Sequence, residues 1–142
     1  MGRVINPDST GKQRNQLMRT AAEMLRRLSQ QTAVDDSTKD MVSLLVYCLR
    51  EIDAGIDQSA LAWEKRDYWV KAEELRQRWY WASDMADQLK GLVVEGKWDG
   101  LPQIMLKLLP RFAEIKITKL TRSESLWQGC YTRLMEEKPP GS

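Results

Sequence analysis

Apolar residues recur at spacings of three and four along most of this chain, the period of a helix with one buried stripe. The repeat is longest between Asp36 and Val94, a stretch with no proline and only two glycines, Gly55 and Gly91. Its first half runs through Met41, Leu44, Leu45, Cys48, Leu49, Ile52, Ile56, Ala60 and Trp63. The polar run Glu64-Lys65-Arg66-Asp67 then breaks the phase, and Asp67 can cap a new helix. From about Tyr68 a second stripe follows at Leu75, Trp79, Ala82, Ala86, Leu89 and Val93, bordered by Trp81, Met85 and Leu92. The pattern predicts two long helices folded into a central hairpin, with a single bent rod as the alternative. Gly55 falls mid-helix, where glycine costs about 1 kcal/mol against alanine, so a close helix approach or a slight kink is expected there. Gly91 and Gly96 punctuate the far end.

Shorter helices flank the hairpin. Leu17, Met18, Ala21, Leu25 and Leu28 mark a helix from about Gly11 to Gln31, with Asp8, Ser9 or Thr10 as its cap. Residues 1–10 read as a flexible arm, because Asn6-Pro7-Asp8-Ser9 carries turn chemistry. Asp35, Asp36 and Ser37 can cap the second helix, and Ser37 with Asp40 resembles a capping box. Trp98 is expected to fold back on the core. Beyond it, Asp99 caps a helix with Pro102 in its first turn and Ile104, Met105, Leu108, Leu109 and Phe112 on its apolar face, which Pro110 should kink or divide. Ile115-Lys116-Ile117-Thr118 alternates like a strand but has no partner, so residues 114–121 read as an extended connection. Thr121 or Ser123 starts a last helix through Leu126, Trp127, Cys130, Tyr131 and Leu134, weakened a little by Gly129, and residues 138–142 are a frayed tail. The fold class is all-α: one helical domain over residues 1–142, a bundle of about five helices around the hairpin.

Composition adds bounds. A chain of 142 residues can bury a core without disulfides or metal. No apolar run reaches the roughly 18 residues of a membrane helix, and the first residues show no charged region followed by an apolar one, so secretion is not expected. Cys48 and Cys130 both fall on apolar stripes, as reduced core residues would, which favours the cytoplasm. Net charge is +2 but unevenly spread: +4 over residues 1–31, −4 over 32–67, −1 over 68–100 and +3 over 101–142. Basic ends around an acidic middle are expected to neutralise each other, with the first helix pairing against the second.

The chemistry is narrowed mainly by what is missing. The chain has no histidine, which removes histidine-dependent nucleophilic catalysis and histidine-ligated metals. Two distant cysteines make no zinc finger, and Ser9-Thr10-Gly11-Lys12-Gln13 lacks the glycine and hydroxyl spacing of a phosphate loop. One enzymatic constellation remains: Glu64, Asp67, Asp84 and Asp87 form two carboxylate pairs, each one helical turn apart, that would hold Mg²⁺ if they converged. In composition this is similar to the acidic helix pairs of all-α nucleotide pyrophosphohydrolases, whose Glu-rich signature does not occur here. A solvated charged face is the expected reading, with no metal and no cofactor.

Six of the eleven aromatic residues fall between Trp63 and Trp81. Trp69 and Tyr80 lie eleven residues apart and so share a helix face within about 20°. Arg76 lies between them, and Glu73, Asp84 and Asp87 are on the same polar side. Three readings compete: the first helix or the C-terminal segment covers the rings, the rings belong to a protein interface, or they stack bases with Arg76 and Arg78 on phosphates. The functional expectation is a non-enzymatic protein-interaction or scaffold module, self-associating through Trp69, Arg76 and Tyr80. The alternative is a nucleic-acid-binding module using Lys12, Arg19 and Arg26 at heptad spacing together with Lys116, Lys119 and Arg122. A Mg²⁺-dependent hydrolase through the four carboxylates comes third.

Overall fold

The computed structural model describes residues 7–137. Five α-helices follow in order: α1 (Pro7–Ser29), α2 (Asp36–Lys65), α3 (Trp69–Glu95), α4 (Leu101–Leu108) and α5 (Cys130–Glu136). Single 3₁₀ turns occupy Trp98–Gly100, Leu109–Phe112 and Glu124–Leu126. The described residues contain no strand, and residues 115–121 are an extended connection. The architecture is an all-α bundle in which α2 packs most extensively on α3, then on α1, then on α5. No described helix is long and apolar enough to cross a membrane.

The described part of α1 starts at Pro7, so Asp8, Ser9 and Thr10 lie inside the helix and not at its cap. Proline is compatible with a first turn because its missing N–H would have no helical partner there. The expected arm therefore shrinks, and residues 1–6, like the expected tail at 138–142, lie outside the described residues. Thr10 packs where α1 crosses Gly55: a Cβ on Gly55 would meet the Thr10 methyl at 3.7 Å, an ordinary contact.

The cap of α2 is Asp35, whose Oδ1 accepts from the Thr38 N–H at 2.8 Å and the Thr38 hydroxyl at 2.9 Å. The Ser37–Asp40 box does not form, because Asp40 instead accepts the Tyr131 N–H at 2.9 Å and ties down the start of α5. The hairpin is real and the single rod is excluded. The chain reverses through Arg66 and Asp67, and Asp67 takes a left-handed φ of 63° that aspartate tolerates better than most residues. Tyr68, not Asp67, occupies the cap position of α3. At the other end Gly96, also left-handed at φ 68°, closes α3, with N–H groups of Gly96 and Lys97 returning to Val93 and Leu92 carbonyls.

The core runs through Met24, Leu25, Leu45, Leu49, Ile52, Leu89, Leu108 and Leu134, all fully buried. Trp98 does pack back on it. The stripe on α3 is the expected one, extended back by a turn to Ala72, with Leu75 and Trp79 half-buried against the core. Pro110 ends α4 and forces the 3₁₀ turn, leaving Leu109 exposed. The last helix is shorter than the pattern implies. Gly129 at φ 85° interrupts it, so α5 begins only at Cys130 and Leu126 is left exposed.

Thr121 is not a cap either, because no helix starts directly after it, and its N–H is donated to Glu23. The Glu23 carboxylate is fully buried and accepts N–H groups from Thr121 at 2.7 Å and Arg122 at 2.8 Å. The Thr121 hydroxyl at 3.3 Å and Arg27 Nε at 3.4 Å complete the set. Burial alone would raise the Glu23 carboxyl, but the two backbone N–H bonds and Arg27 outweigh it and hold it below the usual range.

Candidate interaction surface

Arg76 organises the outer side of the hairpin. Its guanidinium is hydrogen-bonded to Glu64 and lies 3.7 Å from Asp57, both on α2. Leu61 lies four residues after Asp57 and three before Glu64, so it shares their face. On α3, Trp69 lies seven residues before Arg76 and Tyr80 four after, on the same face by helical phase. The ion triad therefore sets Leu61, Trp69 and Tyr80 on one side of the hairpin. Leu61 is 47% exposed, Trp69 60% and Tyr80 67%. Among the described residues, neither α1 nor the C-terminal segment covers the two rings.

The turn extends this surface. Tyr68 is 49% exposed and Val70 is 72% exposed. Tyr68 meets Trp63 edge-on at 5.6 Å, and the Lys71 ammonium lies over both rings at 5.5 and 5.1 Å. Sequence periodicity singled out Trp69, Arg76 and Tyr80 but missed Leu61, Tyr68 and Val70. Their position depends on where the chain reverses, and the only signal for that was the broken phase at residues 64–67.

Carboxylates border the face. Besides Asp57 and Glu64 these are Glu73, Asp84 and Asp87 on the Trp69–Tyr80 side of α3. Burial first, then Asp57 and Asp87, push the Asp53 carboxyl above its usual range, so the negative field reaches into the helix contact. Of the four carboxylates considered for Mg²⁺, Glu64 is bound to Arg76, Asp84 accepts from Gln88 at 3.1 Å, and Asp67 and Asp87 are exposed. Among the described residues no three acids, cysteines or histidines gather at a metal-holding distance.

The basic residues of the nucleic-acid alternative do not form one surface. Arg26 is bonded to the Ile117 carbonyl. Arg122 donates to Thr20 at 3.1 Å, Gln16 at 3.1 Å and Thr121 at 2.8 Å, so both arginines fasten the 115–122 segment onto α1. Lys12 borders a cleft with Glu51 and Gln58 on α2, whereas Arg19 borders a separate groove on the α3 side. Lys116 and Lys119 are exposed on the connection. Contrary to expectation, no ion pair among the described residues joins α1 to α2. Arg14 lies over Trp79 and Arg27 over Trp127, so these two cations of α1 face aromatic rings and not the acids of α2.

Comparison with protein families, curated proteins and solved structures finds no match.

Proposed function

We propose that this chain is a non-enzymatic protein-interaction module whose contact surface is the outer face of the α2–α3 hairpin. The observation that carries the reading is the exposure of Trp69 and Tyr80 on either side of an arginine held between two carboxylates. Tryptophan, tyrosine and arginine are the residues enriched at interface hot spots, where a large ring removes much apolar surface from water. The turn residues Tyr68 and Val70 continue the apolar area, and the flanking acids select a partner surface with basic residues at its rim. Two copies meeting face to face through this surface would bring like charges together. Self-association therefore joins it to a different, basic part of a second copy. The buried free thiols of Cys48 and Cys130 support a reducing compartment such as the cytoplasm.

The test compares native assembly mass by light scattering, and photo-crosslinks from a probe at Glu73, in the parent and in a Trp69→Ala/Tyr80→Ala variant. Each ring removed is expected to weaken association by about 1–2 kcal/mol, tenfold or more for the pair. The probe should label a basic segment of the partner. A double variant with unchanged mass and unchanged crosslinks would refute the assignment.

A further inference from the structure

The opposite side of α3 carries a second, independent feature. Arg78 is nine residues from Trp69, half a turn away by helical phase. It lines a groove of about 890 Å³ bounded by α1, α3 and the Leu109–Phe112 turn. Arg19 and Arg111 line it too, with Trp79 and Trp81 between them. The two indoles lie 5.7 Å apart, tilted by 30°, and each carries a guanidinium: Arg14 at 5.2 Å over Trp79 and Arg111 at 5.4 Å over Trp81. Phe112 meets Trp81 edge-on at 5.7 Å and is itself buried, so the pair is anchored to the core.

The charge here is uncompensated. Among the described residues, Arg14, Arg19, Arg78 and Arg111 make no hydrogen bond and no ion pair. Glu114 is the single carboxylate among the residues lining the groove. Partial burial makes the Arg14 cation costly, lowering its pKa, and no described counter-charge repays it. An anion entering the groove would compensate Arg19, Arg78 and Arg111, which line it.

We propose that this groove binds single-stranded nucleic acid. Arg19, Arg78 and Arg111 take backbone phosphates, for which a guanidinium fork is well shaped. Bases stack against the half-buried indoles of Trp79 and Trp81, which line the groove. A duplex keeps its bases inside and would leave those rings unused. An acidic peptide would satisfy the arginines but leave the two indoles without a stacking partner.

The experiment is a fluorescence-anisotropy titration of the full chain with a labelled oligothymidylate at a series of salt concentrations. Binding should weaken with salt with a log–log slope of about −2, from three neutralised phosphates on a single strand. Arg78→Ala should lose several-fold in affinity and flatten the slope by about 0.7. Arg78 has no hydrogen bond or ion pair among the described residues, so its removal should leave the circular dichroism and the urea midpoint unchanged. Arg111→Ala should lose at least as much, and Lys65→Ala, at the hairpin turn, nothing. Three results would overturn the proposal: no salt-sensitive binding, unchanged binding by Arg78→Ala, or equal binding of a duplex. Displacement of the oligonucleotide by polyglutamate at equal charge concentration would also overturn it, and would assign the groove to an acidic protein surface.

Discussion

At the scale of single residues the decisive side chain is Glu23. A carboxylate at 0% exposure survives only if its oxygens are satisfied, and here two backbone N–H groups and Arg27 satisfy them. Those N–H groups belong to residues almost a hundred positions away, so Glu23 fixes the C-terminal segment to α1. Glu23→Ala should cost about 2–4 kcal/mol, because it leaves donors and a cation without their acceptor. Glu23→Gln should cost less, since one acceptor oxygen remains. Urea unfolding followed by tryptophan fluorescence measures both, and hydrogen exchange should show residues 115–122 opening first in the alanine variant. Nothing in the sequence marked Glu23, which reads as one more charge on an amphipathic helix. Trp69 and Tyr80, by contrast, were legible as an outward-facing pair, because phase within one helix needs no knowledge of its neighbours.

At the scale of elements, the long repeats on α2 and α3 were readable because each stripe is wide and uninterrupted. The reversal between them was readable as a lost phase, although the sequence could not separate a turn from a bend. Asp67 in its left-handed conformation settles that point. Gly55 was expected to mark a close approach or a kink. It does lie at the α1 crossing, but the space there accepts a methyl group. Gly55→Ala is therefore expected to stabilise the protein by about 0.5–1 kcal/mol, the helix-interior difference between the two residues. A raised thermal midpoint with unchanged helicity would show it; a lowered one would mean that α1 cannot give by the little that is needed. The C-terminal helix was over-read. Its apolar spacing continues back through Leu126, but Gly129 supplies a left-handed residue that interrupts the helix.

At the scale of the whole molecule, charge is segregated, not neutralised. Acids gather on the outer side of the hairpin and uncompensated arginines on the α1–α3 groove. One tertiary ion cluster does cross the bundle. Glu137 receives Arg50 at 2.8 Å, Lys90 at 3.3 Å and the Tyr47 hydroxyl at 3.0 Å, pinning the end of α5 across the hairpin. The Arg50 hydrogen bond leads in holding its carboxyl down to about 2 from 4.5. The unfolded chain therefore binds a proton in that window that the folded chain does not. The stabilisation is complete above about pH 4.5 and is lost as pH falls towards 2, at most about 3 kcal/mol and less after allowing for solvent around the cluster. Glu23, also depressed, adds in the same direction. Glu137→Gln should lower stability at pH 7 and flatten the decline between pH 4.5 and 2, as read from urea midpoints across that range. An unchanged slope would show that the cluster is not coupled to folding.

By itself the sequence determined the class of fold, the hairpin repeats, the reduced thiols and the exclusion of histidine chemistry. These follow from period, composition and residue type, which act locally along the chain. Only the tertiary structure decided which cations are spent and which remain. Arg26, Arg27 and Arg122 are consumed in fastening the C-terminal segment, whereas Arg14, Arg19, Arg78 and Arg111 come together from three elements around two indoles. Charges are long-range and side chains are flexible, so their partners are set by what folding brings within a few ångströms, which no spacing in the chain encodes.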